Sequence, residues 1–454
     1  MVYCASARWR GPKSITMAKQ GIIAIRETCR VCGKKPLTPI LSLGDLYVSD
    51  FIKQKDTDKP KKYPLELVLC NKKTGGCGLL QLKHTVNHES MYRNYWYRSG
   101  MNKTMTDALG DVTSHVKGLV TPKKGDYVID IGANDGTLLR SYGVAGLNLV
   151  GFEPARNLKK WNGVGTTKIL NDFFNFPAWK KAFGAKKAKA VTAIAMFYDL
   201  EDPNTFVGDV AKCLDRDGVF IIQMSYLPLM LEQNAFDNCC HEHLEYYSLL
   251  SLENLMKRHG LEVFDVELND VNGGSFRAYM RHASWRAGHT SHGQKNKQGM
   301  KVPKGAAKRV ADMRAKEAKL GLDDQKTYDE FVARVNRLRT RLTDFIRREV
   351  AGGKKVYVYG ASTKGNTLLQ FYGLDYRLIT AAAERNSDKW GMKTVGTLIP
   401  IISEADARAA NPHHFLVLPW HFMKEFKERE SEFLKKGGKF IVPLPEFKVI
   451  GHEA

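Results

Sequence analysis

The stretch DYVIDIGANDGTLL, Asp126–Leu139, constrains the fold of this chain more than any other. Tyr127–Ile131 has the near-continuous apolar character of a strand buried on both faces. Two glycines, Gly132 and Gly136, then open a turn, and a helical pattern follows from Thr137. Strand, glycine turn and helix together specify an open α/β sheet, which binds ligands beyond the carboxyl ends of its strands. Asp130 stands at that end, and the two glycines let the backbone approach a ligand closely. The pattern recurs at KKVYVYGASTKGNTLLQFYG, residues 354–373, so two α/β units are expected. A length of 454 residues accommodates them, since domains run to roughly 150 residues. No run of 18 apolar residues exists, which excludes a membrane-spanning helix.

Composition shifts divide the chain. Residues 1–28 form a basic tail, expected to be disordered. Residues 29–85 are short and punctuated by cysteine. Residues 86–283 alternate strand and helix patterns, and 284–305 read as a polar linker. Residues 306–454 carry a charged helix and the second α/β unit. The cysteines, eight in all, are too few for a disulfide-stapled secreted protein of this length. A reducing, cytoplasmic setting is expected. The alternative, organelle targeting, rests on a tail with no acid before Glu27.

Four cysteines stand in two pairs: Cys29 and Cys32 in CRVCG, Cys70 and Cys77 in LVLCNKKTGGCGLLQL. Zinc takes four soft ligands in a tetrahedron, and cysteine pairs on tight turns supply them. The expected site is closed, so it stabilises the small module and leaves the chemistry elsewhere.

The turn D-x-G-x-x-x-G is not the dinucleotide fingerprint. Glu153 ends the next strand, NLVGFEP, at the place suited to ribose hydroxyls. Asp172 and Phe173 follow in NDFFN, and AVTAIAMFYDLEDP then supplies a fourth strand and turn. Taken in order, Asp130, Gly132, Asn134, Gly136, Glu153, Asp172 and Phe173 resemble the donor site of a class I S-adenosylmethionine (SAM) methyltransferase. A third motif, FDNCCHEHLEYYSL, places His241, Glu242 and His243 together. Two histidines and a carboxylate could ligate a metal. They could equally do acid–base work, since imidazole titrates near neutrality.

With these motifs in place, the chain resembles the sugar C-methyltransferases of deoxysugar biosynthesis, the nucleotide-diphospho-4-ketohexose 3-C-methyltransferase type. The resemblance runs from about Cys29 to Ile450 and takes in CGLLQL, YRNYWYRSGMNKTM, DIGANDGTLL, HEH, NDVNGGSFRAY, YGASTKGNTLLQFYG and GTLIPI. It implies a zinc-binding N-terminal module, a central SAM-methyltransferase domain and a C-terminal Rossmann-like domain. It implies SAM and one structural zinc ion, and a nucleotide-diphospho sugar as the small-molecule substrate. It assigns His243 as the base that removes a proton beside a ketone, so that the enolate takes the methyl group. Tyr95, Tyr97, Arg98 and Ser99 match the tract that faces the sugar. Ser362, Lys364, Asn366, Glu384, Trp420 and His421 match the unit that helps hold the nucleotide. Two positions depart from the family: Cys240 stands where tyrosine is usual, and Asp199 where histidine is usual. The acceptor could therefore differ, with Asp199 taking an acid–base or hydroxyl-anchoring part.

The chain carries a net charge of +22, which draws polyanions. Lys295, Lys297, Lys301, Lys304, Lys308, Arg309, Arg314, Lys316 and Lys319 crowd one segment. A nucleic-acid substrate is the competing reading, less favoured because no aromatics interleave with these cations as they do on single-strand-binding surfaces. Oligomeric state is open, with a monomer the default.

Overall fold

The computed structural model describes residues 23–53, 60–87, 91–92, 96–101, 103–285 and 299–452. Tyr95, Lys295, Lys297, most of the basic tail and much of the linker lie outside them.

The central unit is built on a seven-stranded sheet. Its strands run, in spatial order, Leu261–Asn269, Ser275–His282, Leu214–Ser225, Ala188–Ile194, Tyr127–Ile131, Asn148–Phe152 and Lys168–Leu170. All pairings are parallel except those of Ser275–His282, which runs antiparallel to both neighbours. The chain leaves Tyr127–Ile131 toward one edge and returns to Ala188–Ile194 on its other side. A crevice therefore opens between these two strands at their carboxyl ends. Their register sets Asp130 opposite Thr192.

The C-terminal unit repeats the principle. Its order is Ile401–Ser403, Ala382–Glu384, Val356–Tyr359, His414–Val417, Lys439–Val442 and Lys448–Ile450, with the last strand antiparallel. Apart from that reversed strand, this is the doubly wound order of dinucleotide-binding folds. The helix Thr363–Tyr372 starts at its glycine turn, capped by Ser362, whose Oγ accepts the Gly365 N–H at 3.0 Å.

The N-terminal module is an antiparallel sheet of Thr38–Tyr47, Lys62–Leu69 and Leu80–Leu82, completed by Glu245–Tyr246 from the central unit. That fourth strand directly follows His241–His243, so the module fixes the loop that carries them. At one end of the module Ile23–Ile25 pairs with His84–Val86, so the last part of the expected tail is a strand. At the other, Phe51–Ile52 pairs with Lys393–Thr394 of the C-terminal unit. One apolar core joins Leu41, Leu67 and Leu82 to Val358, Leu368 and Leu416, while another joins the cysteine quartet to Ile129, Val191 and Phe220. The module is thus a wedge packed against both α/β units.

Two helices connect the units. Gln325–Ala351 buries a helical-period stripe of Tyr328, Phe331, Val335, Leu338, Leu342 and Ile346. Ala306–Leu320, which the sequence grouped with the C-terminal unit, is fastened to the central one. Its buried Glu317 accepts from Tyr226 Oη at 2.7 Å and from the Leu250 N–H at 3.0 Å. A buried carboxylate keeps such donors satisfied. No helix among the described residues is long and apolar enough to cross a membrane.

Candidate active site

The glycine turn of the central unit favours glycine at two of its positions. Gly132 has φ +72°, and a Cβ there would meet Met196 Cγ at 3.1 Å. Gly136 has φ +80° and caps the helix Thr137–Arg140. Asn134 also takes a positive φ, 51°. Its main-chain N–H donates to Glu153 Oε2 at 2.7 Å, and Glu153 Oε1 accepts from the Ala155 N–H at 2.8 Å. Thr192 Oγ1 donates to Asp130 Oδ1 at 2.6 Å. Burial pushes both carboxyls up to about 7. Asp130, Asn134 and Glu153 line a cavity of about 420 Å³ together with Gly132, Asp172 and Phe173. Of the expected donor-site residues only Gly136 is not in the wall, because it turns the chain behind it. Glycine cradle and acidic pair fit a nucleoside bearing cationic sulfonium and ammonium groups.

The tract Tyr97–Gly100 is tied down over this turn. Asn134 Nδ2 donates to the Tyr97 carbonyl at 3.0 Å, and its Oδ1 accepts the Ser99 N–H at 3.0 Å. Asp135 Oδ2 accepts the Gly100 N–H at 2.8 Å. Tyr97 and Ser99 consequently line the donor cavity, and Tyr97 also faces a much larger cleft of about 2330 Å³. Arg98 lines that cleft with its guanidinium 4.2 Å above the Trp161 ring.

The loop after Phe236 sorts its residues in different directions. His243 Nδ1 donates to the Asn238 carbonyl at 2.8 Å. A carbonyl only accepts, so Nδ1 carries the proton and Nε2 keeps its lone pair. Burial, then the charge of Lys364, pushes this imidazole down to about 3. It is neutral at physiological pH, and like His241 it is not in the wall of either space, lying behind Tyr198 with their rings 4.3 Å apart. Glu242 lines the large cleft with Oε2 buried and unpartnered, its carboxyl pushed up to about 6 by burial. Asp199 lines the donor cavity with Oδ1 buried and unpartnered. Burial first, then Glu242, raises it well above the carboxylate range.

Other expectations are redirected. His241, grouped with the catalytic residues, lines neither space: its Nε2 lies 3.1 Å from the Tyr63 carbonyl, inside the N-terminal module. Cys240 is likewise buried, at 2% exposure, and lines neither space. Asn366 donates from Nδ2 to the Asp50 carbonyl at 3.0 Å, fastening the second unit to the module instead of facing ligand. Trp420 lines neither space, and its Nε1 donates to Asp237 Oδ2 at 3.1 Å. Ser362 and His421 border both spaces, Lys364 the donor cavity and Glu384 the large cleft. Glu384 Oε2 accepts the Ala361 N–H at 3.0 Å and Oε1 the Asn386 N–H at 2.8 Å. That repeats the Glu153 arrangement in the second unit.

Sequence reasoning missed Asp237 and Asn238. Asp237 lines the donor cavity and is 3% exposed. The signal was present: it is the one acid between Gln233 and His241.

Three family models match consecutive stretches of the chain: a zinc binding domain over residues 29–92, a methyltransferase domain over 101–266 and a C-methyltransferase C-terminal domain over 270–445. C-methyltransferase NovU of Streptomyces niveus is 32% identical over 445 residues, covering 96% of this chain and 99% of its own. The chain belongs to this C-methyltransferase family. It is a SAM-dependent methyltransferase. Among solved structures, magnesium protoporphyrin IX methyltransferase of Synechocystis PCC 6803 with bound SAM covers 43% of this chain and 97% of its own, at 12% identity and TM-score 0.32. N-methyltransferase NodS of Bradyrhizobium japonicum WM9 covers 40% and 98%, at 10% identity and TM-score 0.31. The fold assignment rests on the strand order and not on these overlaps.

In this C-methyltransferase the Sγ atoms of Cys29, Cys32, Cys70 and Cys77 all lie within 4.8 Å of one another. The Cys29–Cys77 and Cys32–Cys70 separations are 3.5 and 3.4 Å. A zinc–sulfur bond of about 2.3 Å places tetrahedral sulfurs about 3.8 Å apart, so the quartet fits zinc. A Cβ on Gly76 would lie 2.6 Å from Cys70 Sγ, so only glycine lets the chain wrap that sulfur.

Proposed function

We propose that this C-methyltransferase methylates a carbon adjacent to a ketone in a nucleotide-linked sugar, with His243 as the general base. The observation that carries this reading is the meeting of two spaces. The donor cavity and the large cleft share Tyr97, Ser362, Thr363 and His421. A cleft of about 2330 Å³ exceeds the roughly 300–1,000 Å³ of ordinary small-molecule sites. It has room for a nucleoside diphosphate as well as a sugar, and the glycine turn of the second unit forms part of its wall.

The chemistry follows from the residues present. Bound SAM supplies an electrophilic methyl group on sulfur. A C–H beside a carbonyl is acidic enough for a positioned imidazole, and His243 Nε2 is the lone pair available. Asp199, kept protonated by burial, donates a hydrogen bond to the oxygen on which enolate charge develops. Zinc in the cysteine quartet holds the module and takes no part in the reaction.

The competing nucleic-acid reading loses its main support in the basic segment. Lys308 pairs with Asp312 at 2.6 Å, Arg309 with Asp265 at 2.5 Å, Arg314 with Glu253 at 2.5 Å and Lys316 with Glu232 at 3.3 Å. The test is incubation with SAM and a panel of nucleotide-diphospho-4-ketohexoses, followed by mass spectrometry. A sugar nucleotide heavier by one methylene, with S-adenosylhomocysteine, is expected. SAM binding without transfer to any ketosugar would refute the acceptor.

A further inference from the structure

The base loop has little regular structure of its own: one short turn, Phe236–Asn238, precedes His243. Its geometry comes from side chains, and two of them reach in from the C-terminal unit. Lys364 Nζ donates to Asn238 Oδ1 at 2.6 Å, and Trp420 Nε1 donates to Asp237 Oδ2 at 3.1 Å. Asn238 is the hub. Its carbonyl accepts from His243 Nδ1 at 2.8 Å and from Tyr246 Oη at 3.3 Å, and its Nδ2 donates to the Ala235 carbonyl at 3.1 Å.

We propose that Lys364 is a positioning residue for the base: acting through Asn238, it holds His243 with Nδ1 protonated and Nε2 free to take a proton. The proposal rests on the reading of His243 as the base. It moves Lys364 from holding the substrate's anion to shaping the machinery of the other domain. Its location supports this. Lys364 is the second residue of the helix Thr363–Tyr372, where the helix dipole disfavours a cation. A lysine there needs a partner that offsets the cost, and Asn238 together with the buried Asp237 carboxyl supplies one. The Tyr198 ring, from the turn after Ala188–Ile194, packs against His243, and the Lys364 charge from the second unit acts with burial to lower it. The same lysine therefore bears on the ring twice, through the residue whose carbonyl holds Nδ1 and through its charge, which adds to burial.

The experiment is ring ¹⁵N NMR of the full-length protein with labelled histidine, the His243 signal assigned by its loss in His243→Asn. In Lys364→Met, titration of the His243 ring is expected to move from about 3 toward the ordinary 6.5, and the single Nδ1–H tautomer to become mixed. Turnover is expected to fall roughly 10- to 100-fold, the scale of a misplaced catalytic group, with KM for the sugar nucleotide essentially unchanged. Lys364→Gln keeps a donor for Asn238 without charge, so it should keep the tautomer while the titration still rises. It also serves if the methionine variant folds poorly. An unmoved His243 signal in these variants, or a rise in KM alone, overturns the proposal. If His243→Asn keeps full turnover, the base assignment fails, while the ring signal in the Lys364 variants still decides whether the lysine positions that loop.

Discussion

The Tyr198 ring stands against the His243 imidazole with centroids 4.3 Å apart and planes at 61°. Tyr198 packs against the ring and Asn238 holds Nδ1, which leaves Nε2 as the ring nitrogen with a lone pair. Replacing His243 with asparagine removes that lone pair while keeping a polar side chain of similar reach. Turnover is expected to fall by roughly 10²–10⁴, the usual contribution of general acid–base catalysis. SAM affinity, measured by calorimetry, is expected to stay the same because His243 does not line the donor cavity. Full turnover in the variant would remove His243 from the mechanism.

Donor binding is expected to depend on pH. Burial lifts Asp130 and Glu153 to about 7 in the ligand-free protein. A cationic ligand favours their ionised forms, so affinity falls as the pH drops through the folded values and these groups take up protons. Each group that must ionise costs about tenfold per pH unit below its own value. The Kd for SAM is therefore expected to rise by about tenfold or more between pH 8 and pH 6. Calorimetry in buffers of different ionisation enthalpy should show proton release at pH 6.5. A flat Kd would mean that both carboxyls are already ionised without ligand.

Asp199 distinguishes a neutral donor from a base. Its Oδ1 is buried without a partner, and burial, then Glu242, raises its carboxyl well above the usual carboxylate range. Asparagine is isosteric and also donates, so Asp199→Asn is expected to retain most of its turnover. Asp199→Ala removes the donor and is expected to lose about 10²–10³-fold, as loss of one oxyanion-stabilising donor does. Equal, severe losses in both variants would instead show that Asp199 acts as a carboxylate.

Much of this was legible in the sequence because it depends on local rules. Gly132, Asp130 and Glu153 sit where strand, turn and next strand must put them, and the Cys29–Cys77 quartet follows from pair spacing. What was not legible depends on the domains meeting. His241 and His243 are two residues apart, yet one turns into the N-terminal module and the other toward Tyr198. The strand pairing of Glu245–Tyr246 with Leu80–Leu82 decides this, and no local pattern announces it. Asn366 and Trp420 looked like ligand contacts because they flank a glycine turn and a strand end. Both are held by partners far along the chain, Asp50 and Asp237. The packing of helix Ala306–Leu320 on the central unit was hidden for a related reason: its buried Glu317 sits among charges that otherwise describe a solvated face.

Removing the metal is expected to unfold the protein and not merely inactivate it. The cysteine quartet shares a core with Ile129, Val191 and Phe220, and the adjoining sheet includes the strand that anchors the His243 loop. Chelation should lower the melting temperature, and loss of SAM binding should track unfolding, with zinc restoring both. Cys70→Ser should behave as the chelated protein does. Loss of turnover with the melting temperature unchanged would place the metal in the reaction and contradict a structural site.

Glu317 provides the test of how the connecting helix is fastened. Its side chain is 5% exposed and accepts from Tyr226 Oη at 2.7 Å and from the main-chain N–H groups of Leu249 and Leu250 at 2.5 and 3.0 Å. The last two are the first N–H groups of the helix Leu249–Arg258, where a carboxylate also complements the dipole. Glu317→Ala leaves three donors without their acceptor, each worth about 1–3 kcal/mol when buried and unpaired. A loss of about 3 kcal/mol or more is expected, read as a lower urea midpoint at an unchanged slope. Glu317→Gln keeps one acceptor oxygen and should fall between the two. A loss below about 1 kcal/mol would mean that water replaces the carboxylate and that other contacts hold the helix to the central unit.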